Sequence, residues 1–109
     1  MTETIDFKNP TNLQQAIDYQ DGSIVSRIIF KTGNGSETVF AFAEGQELSE
    51  HTVPFEALVF IVDGEGEFTI SGTTHTVREG EVIRMPAGEP HAVKAIQKFK
   101  MLLTMVKES

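Results

Sequence analysis

The side chains of this 109-residue chain that are best suited to catalysis or metal binding are its three histidines, His51, His75 and His91. Imidazole titrates near neutral pH, serves as a general base and is a frequent metal ligand. The chain has no cysteine, so disulfides and thiolate chemistry are excluded. The question is therefore which of the three imidazoles the fold brings together.

Two of the histidines stand at regular distances from turn residues. The first stretch reads Gly45, five residues, His51, one residue, Val53, three residues, Ala57, six residues, Gly64. The second reads Gly80, five residues, Pro86-Ala87-Gly88, two residues, His91, three residues, Ala95. Both stretches resemble the two motifs of the cupin superfamily. That resemblance implies a metal site with His, His and Glu at positions 51, 53 and 57 and a further His at position 91. This chain has aliphatic residues at two of those four positions, so its first motif is degenerate.

A shift of the first motif by one residue would place Glu56 in the carboxylate position. It would also break the spacing to His51 and to Gly64. Side chains alternate between the two faces of a strand, and Glu56 has the opposite parity to His51, Val53 and Ala57. We therefore expect Glu56 to point away from the site.

The residues expected to contact a ligand in the barrel cavity are His51, Val53, Phe55, Ala57 and His91. The metal candidates are His51 and His91, with His75 as a weak third. Two imidazoles alone hold a divalent ion weakly, because catalytic metals commonly take three protein ligands. If Ser71-Gly72 is a two-residue hairpin loop, His75 lies opposite Phe68. His75 would then share a face with Ile70 and Val77. We expect it to pack against this apolar face rather than to bind a metal.

Composition restricts the partners. The formal net charge is −7, with no basic cluster, which argues against nucleic acid and anionic membranes as partners. No apolar run approaches the roughly 20 residues of a membrane helix, and no signal peptide is recognisable. The absence of cysteine fits a reducing compartment, so a cytoplasmic location is expected.

Short β-branched segments separated by glycine-rich turns predict an all-β sandwich or barrel. The predicted strands are 23–31, 37–43, 56–62, 65–70, 73–78, 82–85, 91–96 and 99–106, with Asp63-Gly64 among the turns. Thr11-Asn12-Leu13-Gln14 predicts a capping box that opens one short helix through about Tyr19, with Leu13, Ala16 and Ile17 buried. The resemblance implies a cupin double-stranded β-helix, a jelly roll. The expected organisation is an N-terminal segment, 1–23, followed by one barrel domain, 24–109.

Residues 58–62 and 101–106 are apolar at nearly every position. A strand of a solvent-facing antiparallel sheet should instead alternate with polar residues. We expect the N-terminal segment to cover one of these second faces and another subunit to cover the other. A homodimer is therefore predicted, and cupins commonly pair.

Three functional hypotheses follow. The first is a cupin that binds a small organic molecule in its barrel, with the histidines as polar contacts in an apolar pocket. The second is a metal-dependent enzyme of dioxygenase or isomerase class, with Zn, Fe, Ni or Mn on an incomplete ligand set. The third is metal-free acid–base catalysis, as in cupin sugar epimerases. That hypothesis ranks last, because Tyr19 is the single tyrosine and lies outside both motifs.

Overall fold

The computed structural model describes residues 5–107. Eight antiparallel strands follow a single turn of 3₁₀ helix at Leu13–Gln15. The strands are β1 (Ile24–Lys31), β2 (Gly35–Phe42), β3 (Glu47–His51), β4 (Phe55–Ile70), β5 (Thr73–Arg78), β6 (Val82–Met85), β7 (His91–Lys94) and β8 (Phe99–Lys107). The all-β jelly-roll prediction is confirmed, and β5 and β6 have the predicted bounds.

The strands form two curved layers that share β4. The first half of β4 lies between β8 and β6, and the order across that layer is β1-β2-β8-β4-β6. The second half lies between β5 and β7, and β7 pairs in turn with β3. The inner faces of the two layers enclose one apolar core, the arrangement expected of a jelly roll.

The predicted turn at Asp63-Gly64 is wrong, because β4 continues through it as one strand. The pairing with β8 shifts register between Ile61 and Asp63, and Gly64 has a φ of +74°. A Cβ at Gly64 would clash with the Lys98 carbonyl oxygen, and its positive φ also disfavours a side chain, so only glycine fits this bend. The bend lets one strand pass from the first layer to the second while keeping partners on both sides.

One end of the barrel is filled by aromatic rings. Phe42 stacks on Phe99 with ring centroids 4.6 Å apart, and Phe68 meets Phe99 edge-on at 5.9 Å. All three rings are fully buried. Histidines 51 and 91 lie toward the other end, so the open space of the barrel lies on their side.

Residues 5–23 of the N-terminal segment pack on the outer face of the first layer. Ala16 and Ile17 are buried as predicted, and they pack on Val39 and Ala41 of β2. The predicted helix through Tyr19 is shortened to one turn, and its cap is the Asn12 side chain, which accepts from the Gln14 N–H. The carbonyl of Gln14 accepts from the Lys100 ammonium, which ties this turn to β8.

Candidate functional site

The two motif histidines are brought face to face by strand pairing. His51 ends β3 and His91 begins β7, and the two residues are direct partners in the β3–β7 register. Their ring centroids lie 4.4 Å apart with the planes inclined at 64°. β3 was not predicted as a strand, although it is the element that positions His51.

Hydrogen bonds to the backbone fix both imidazoles. The Nδ1–H of His51 donates to the carbonyl of Ser49 at 2.8 Å, and that of His91 donates to the carbonyl of Glu89 at 3.4 Å. A carbonyl oxygen can only accept, so each bond requires the proton on Nδ1. The Nε2 atom is therefore the nitrogen that each ring can present to a ligand.

The two histidines differ in burial. His91 is 4% exposed, whereas His51 is exposed at the edge of the barrel. Burial lowers the pKa of His91, and the neighbouring His51 lowers it further. The bond to the Glu89 carbonyl acts in the opposite direction. His91 is therefore neutral at physiological pH and presents a lone pair on Nε2.

Both histidines line one cavity of about 80 Å³, hereafter the histidine cavity. Its remaining wall is apolar and consists of Phe40, Leu48, Val53, Ala57, Met85, Val93, Met101, Leu103 and Met105. Four of the five residues predicted to contact a ligand therefore share one space. They do not share one strand, because residues 52–54 separate β3 from β4. A cavity of this size admits only a few heavy atoms.

Two other predicted candidates lie elsewhere. Phe55 has the same parity as Ala57 but is two residues nearer the start of β4. There it lines a separate groove at the barrel rim. His75 pairs with Phe68 across the predicted Ser71-Gly72 turn, so that register is confirmed. The expected inward packing of His75 is wrong. It is exposed on β5, an edge strand, and lines an open cleft between β5 and β6, apart from the other two histidines.

Glu56 points away from the cavity, as its parity predicts, and it has a structural role that the sequence did not indicate. Its carboxylate accepts from Arg84 Nε at 2.9 Å and from the Ala87 N–H at 3.1 Å. These bonds hold the pKa of Glu56 below its usual range, the Arg84 hydrogen bond most of all. The Gly88 N–H also donates to the Val53 carbonyl at 2.9 Å. Glu56 thus ties the turn before His91 to the segment after His51.

The donor set does not match a conventional catalytic metal site. Among residues 5–107, no group of three His, Cys, Asp or Glu side chains is arranged to hold a metal ion. Val53 and Ala57, at the two remaining family positions, have no donor atom.

Tyr19 is also outside the cavity, because its hydroxyl donates to Asp63 at 2.6 Å on the outer surface. Over the same described range, no helix is long and apolar enough to cross a membrane.

Comparison with known proteins identifies the family of this chain. The family model described as "Cupin domain" matches residues 38–107, and this chain therefore belongs to the cupin family. A conserved protein of unknown function from Streptococcus pyogenes is similar at 36% identity and a TM-score of 0.91, over 98% of this chain and 94% of that one. A cupin 2 conserved barrel domain protein from Leptotrichia buccalis is similar at 40% identity and 0.86.

The Leptotrichia match covers 89% of this chain but 47% of that protein, so the present chain spans about half of its length. A cupin superfamily protein from Desulfitobacterium hafniense shares the fold at 24% identity and a TM-score of 0.87, over 93% of each chain. Among curated proteins no match was found. These comparisons establish family and fold, and cupin chemistry is too varied for the fold to select a reaction.

Proposed function

We propose that this cupin binds a small organic molecule at the mouth of its barrel, with His51 and His91 as the polar contacts. One observation carries the proposal: two imidazoles 4.4 Å apart, each fixed through Nδ1, line a cavity whose other walls are apolar. Few polar groups in an apolar recess are the usual composition of a ligand site. The neutral Nε2 of His91 accepts a hydrogen bond, so the ligand presents a hydroxyl or N–H donor to it.

The histidine cavity cannot enclose a whole ligand. Typical small-molecule pockets measure roughly 300–1,000 Å³, whereas this cavity measures about 80 Å³. It therefore takes only the end group of the molecule. The remainder lies outside it, toward the barrel rim.

The proposal is tested by a thermal-shift panel of small hydroxylated metabolites, run with and without a chelator. Binding raises the unfolding midpoint by an amount set by ligand concentration over the dissociation constant. A shift that survives chelator and is lost in His51→Gln and in His91→Gln supports direct binding. His75→Gln is the matched control, because His75 is exposed outside the cavity. A shift equally large in all three variants would contradict the proposal.

A metal-dependent enzyme of dioxygenase or isomerase class is the second candidate. The observation that favours it is the Nδ1-to-carbonyl bond of each histidine, since metal-ligating histidines commonly donate their other N–H to a carbonyl or carboxylate. Zn, Fe, Ni or Mn held by two imidazoles would leave several positions to water or substrate. Elemental analysis of untagged protein tests it: stoichiometric metal, lost in His91→Gln, would place this candidate first.

We further propose that a second copy of the chain covers the outer face of β6, β4 and β8. Leu58, Phe60, Val82 and Val106 are exposed there, and they continue the apolar surface that the N-terminal segment covers on β2. Contiguous exposed apolar patches on small proteins commonly mark interfaces. A cytoplasmic location also belongs to the proposal, and the lack of cysteine supports it.

A further inference from the structure

The histidine cavity has a neighbour at the barrel rim, hereafter the rim groove. It has a volume of about 410 Å³, within the range of small-molecule sites. The turn between β1 and β2 and the ends of β4 and β8 form its walls. Met105 lines both the rim groove and the histidine cavity. The two spaces are therefore adjacent, and a flexible thioether side chain stands between them.

Strand register places two lysines in this groove. Lys31 pairs with Ser36, and Ser36 pairs with Met105, so Lys31 lies on the inner face. Lys107 has the same parity as Met105 and pairs with Phe55. Both lysines line the groove. Within residues 5–107, neither ammonium group forms an ion pair with a carboxylate.

The charge of the rim groove is opposite to that of the protein. The chain carries a net charge of −7, yet the described lining of the groove contains two lysines and neither Asp nor Glu. The cleft between β5 and β6 contains Glu81 and Glu89 beside Arg84, and the cavity beside the N-terminal segment contains Asp18 beside Arg27, so basic and acidic side chains occur together there. The rim groove is thus distinguished by two lysines without a carboxylate partner among residues 5–107, beside an apolar floor that includes Phe55.

Close packing of the strands and local hydrogen bonds fix the backbone that lines this groove. A Cβ at Gly35 would lie 2.7 Å from the Met105 carbonyl oxygen, so β2 and β8 approach more closely there than a side chain allows. The Thr32 hydroxyl accepts from the N–H groups of Asn34 and Gly35, each at 3.2 Å. The turn that follows Lys31 is therefore held by its own hydrogen bonds.

From these observations we infer that the rim groove binds an anionic oxygen group, a carboxylate or a phosphate monoester, of the same ligand whose hydroxyl end enters the histidine cavity. The inference rests on the proposed function and specifies its ligand class: an elongated hydroxylated anion. Ala57 and Phe55 are two residues apart on β4, and Leu103 and Lys107 are four apart on β8. At about 3.3 Å per residue, the two ends of the ligand are roughly 7–13 Å apart.

A matched set of probes tests the inference: 6-hydroxyhexanoate, 6-hydroxyhexyl phosphate and uncharged 1,6-hexanediol. Binding is followed by NMR through the amide signals of Ser36 and Lys107 and the ring signal of His91. We expect at least one anionic probe to shift both groups of signals and to bind about tenfold more tightly than the diol. That difference should shrink at high salt, because exposed charges are screened. Comparison of the two anionic probes identifies the preferred group.

Substitutions separate this inference from the proposed function. Lys31→Gln with Lys107→Gln should reduce affinity for the anionic probe to that of the diol and leave diol binding unchanged. Lys8→Gln with Lys94→Gln is the matched control, because it removes the same charge outside the groove. Equal binding of diol and anions, or an equal loss in both double variants, would overturn the inference while the proposed function stands. Absence of binding by all three probes would overturn it as well, whereas His51→Gln and the metabolite panel test the proposed function separately.

Discussion

His51 and His91 are opposed residues on adjacent antiparallel strands, and the partly positive character of one imidazole acts directly on the other. The pKa of His91 is lowered first by burial and then by repulsion from His51. His91 is therefore neutral at physiological pH, and its Nε2 is an acceptor for a ligand hydroxyl rather than a binding site for an anion.

Replacing His51 with glutamine should raise the pKa of His91 toward its ordinary value, because the repulsive contribution is removed while burial remains. NMR titration of the His91 ring proton measures this directly. His75→Gln serves as the control and should leave the His91 titration unchanged. An unaltered His91 titration in His51→Gln would mean that burial alone lowers its pKa.

The lowered pKa of His91 also predicts how stability depends on pH. The unfolded chain binds a proton at this residue near pH 6.5, and the folded protein binds it only at lower pH. The contribution of His91 to the free energy of unfolding is therefore fully present above pH 6.5. It decreases as the pH falls below that value toward the pKa of His91 in the folded protein. Urea unfolding on both sides of pH 6.5 measures the effect. His91→Gln should flatten this part of the profile, and a wild-type profile that is flat there would contradict the prediction.

The sequence predicted the site better than it predicted the elements around it. The motif spacings located His51 and His91 because turn glycines fix distances along the chain. β3 was not recognised because Glu47–His51 is mostly polar and exposed, an edge strand whose pairing with β7 supplies its order. The register of His75 followed from its turn, but its exposure depends on the gap between β5 and β6.

The rim groove could not be predicted either. Lys31 and Lys107 lie at opposite ends of the barrel sequence, and only the registers of β1 with β2 and of β2 with β8 bring them to one surface. Strand period gives the face of each lysine but not the partner across the sheet. The bend of β4 at Gly64 was interpreted as a turn for the same reason, since its continuity depends on the pairing with β8.

The hydroxyl of Tyr19 fastens the N-terminal segment to the barrel through Asp63, at 2.6 Å. Burial and this carboxylate together raise the pKa of Tyr19, so the phenol stays protonated and donates at all ordinary pH values. Tyr19→Phe keeps the ring that Lys98 and Lys100 approach at 4.8 and 4.9 Å. It should therefore cost roughly 1.5–3 kcal/mol of unfolding free energy, the contribution of a hydrogen bond to a carboxylate. Chemical denaturation measures it, and an unchanged midpoint would show that the bond contributes nothing in solution.

Phe60 lies at the centre of the exposed outer face, between Val82 of β6 and Leu102 of β8. If a second copy covers this face, Leu58→Gln with Phe60→Gln should convert a dimer to a 12.0 kDa monomer with the same circular dichroism spectrum. Analytical ultracentrifugation over micromolar concentrations gives the mass. Ile96→Gln is the control, an exposed apolar residue on the loop after β7. A monomeric wild-type protein, or a dimer that persists in the double variant, would contradict the proposed interface.

Gly66 allows the aromatic end of the barrel to close. A Cβ at this position would lie 2.9 Å from ring atoms of both Phe68 and Phe99, and both rings are fully buried and cannot move aside freely. Gly66→Ala should therefore destabilise the fold by roughly 1–3 kcal/mol, as overpacking of a filled core does. Gly33→Ala is the matched control, because nothing lies within 4 Å of a Cβ there and its φ is not positive. Thermal and urea unfolding of the two variants give the comparison. Equal stabilities would mean that the ring cluster has room to adjust, and that the open half of the barrel is not the only space available inside it.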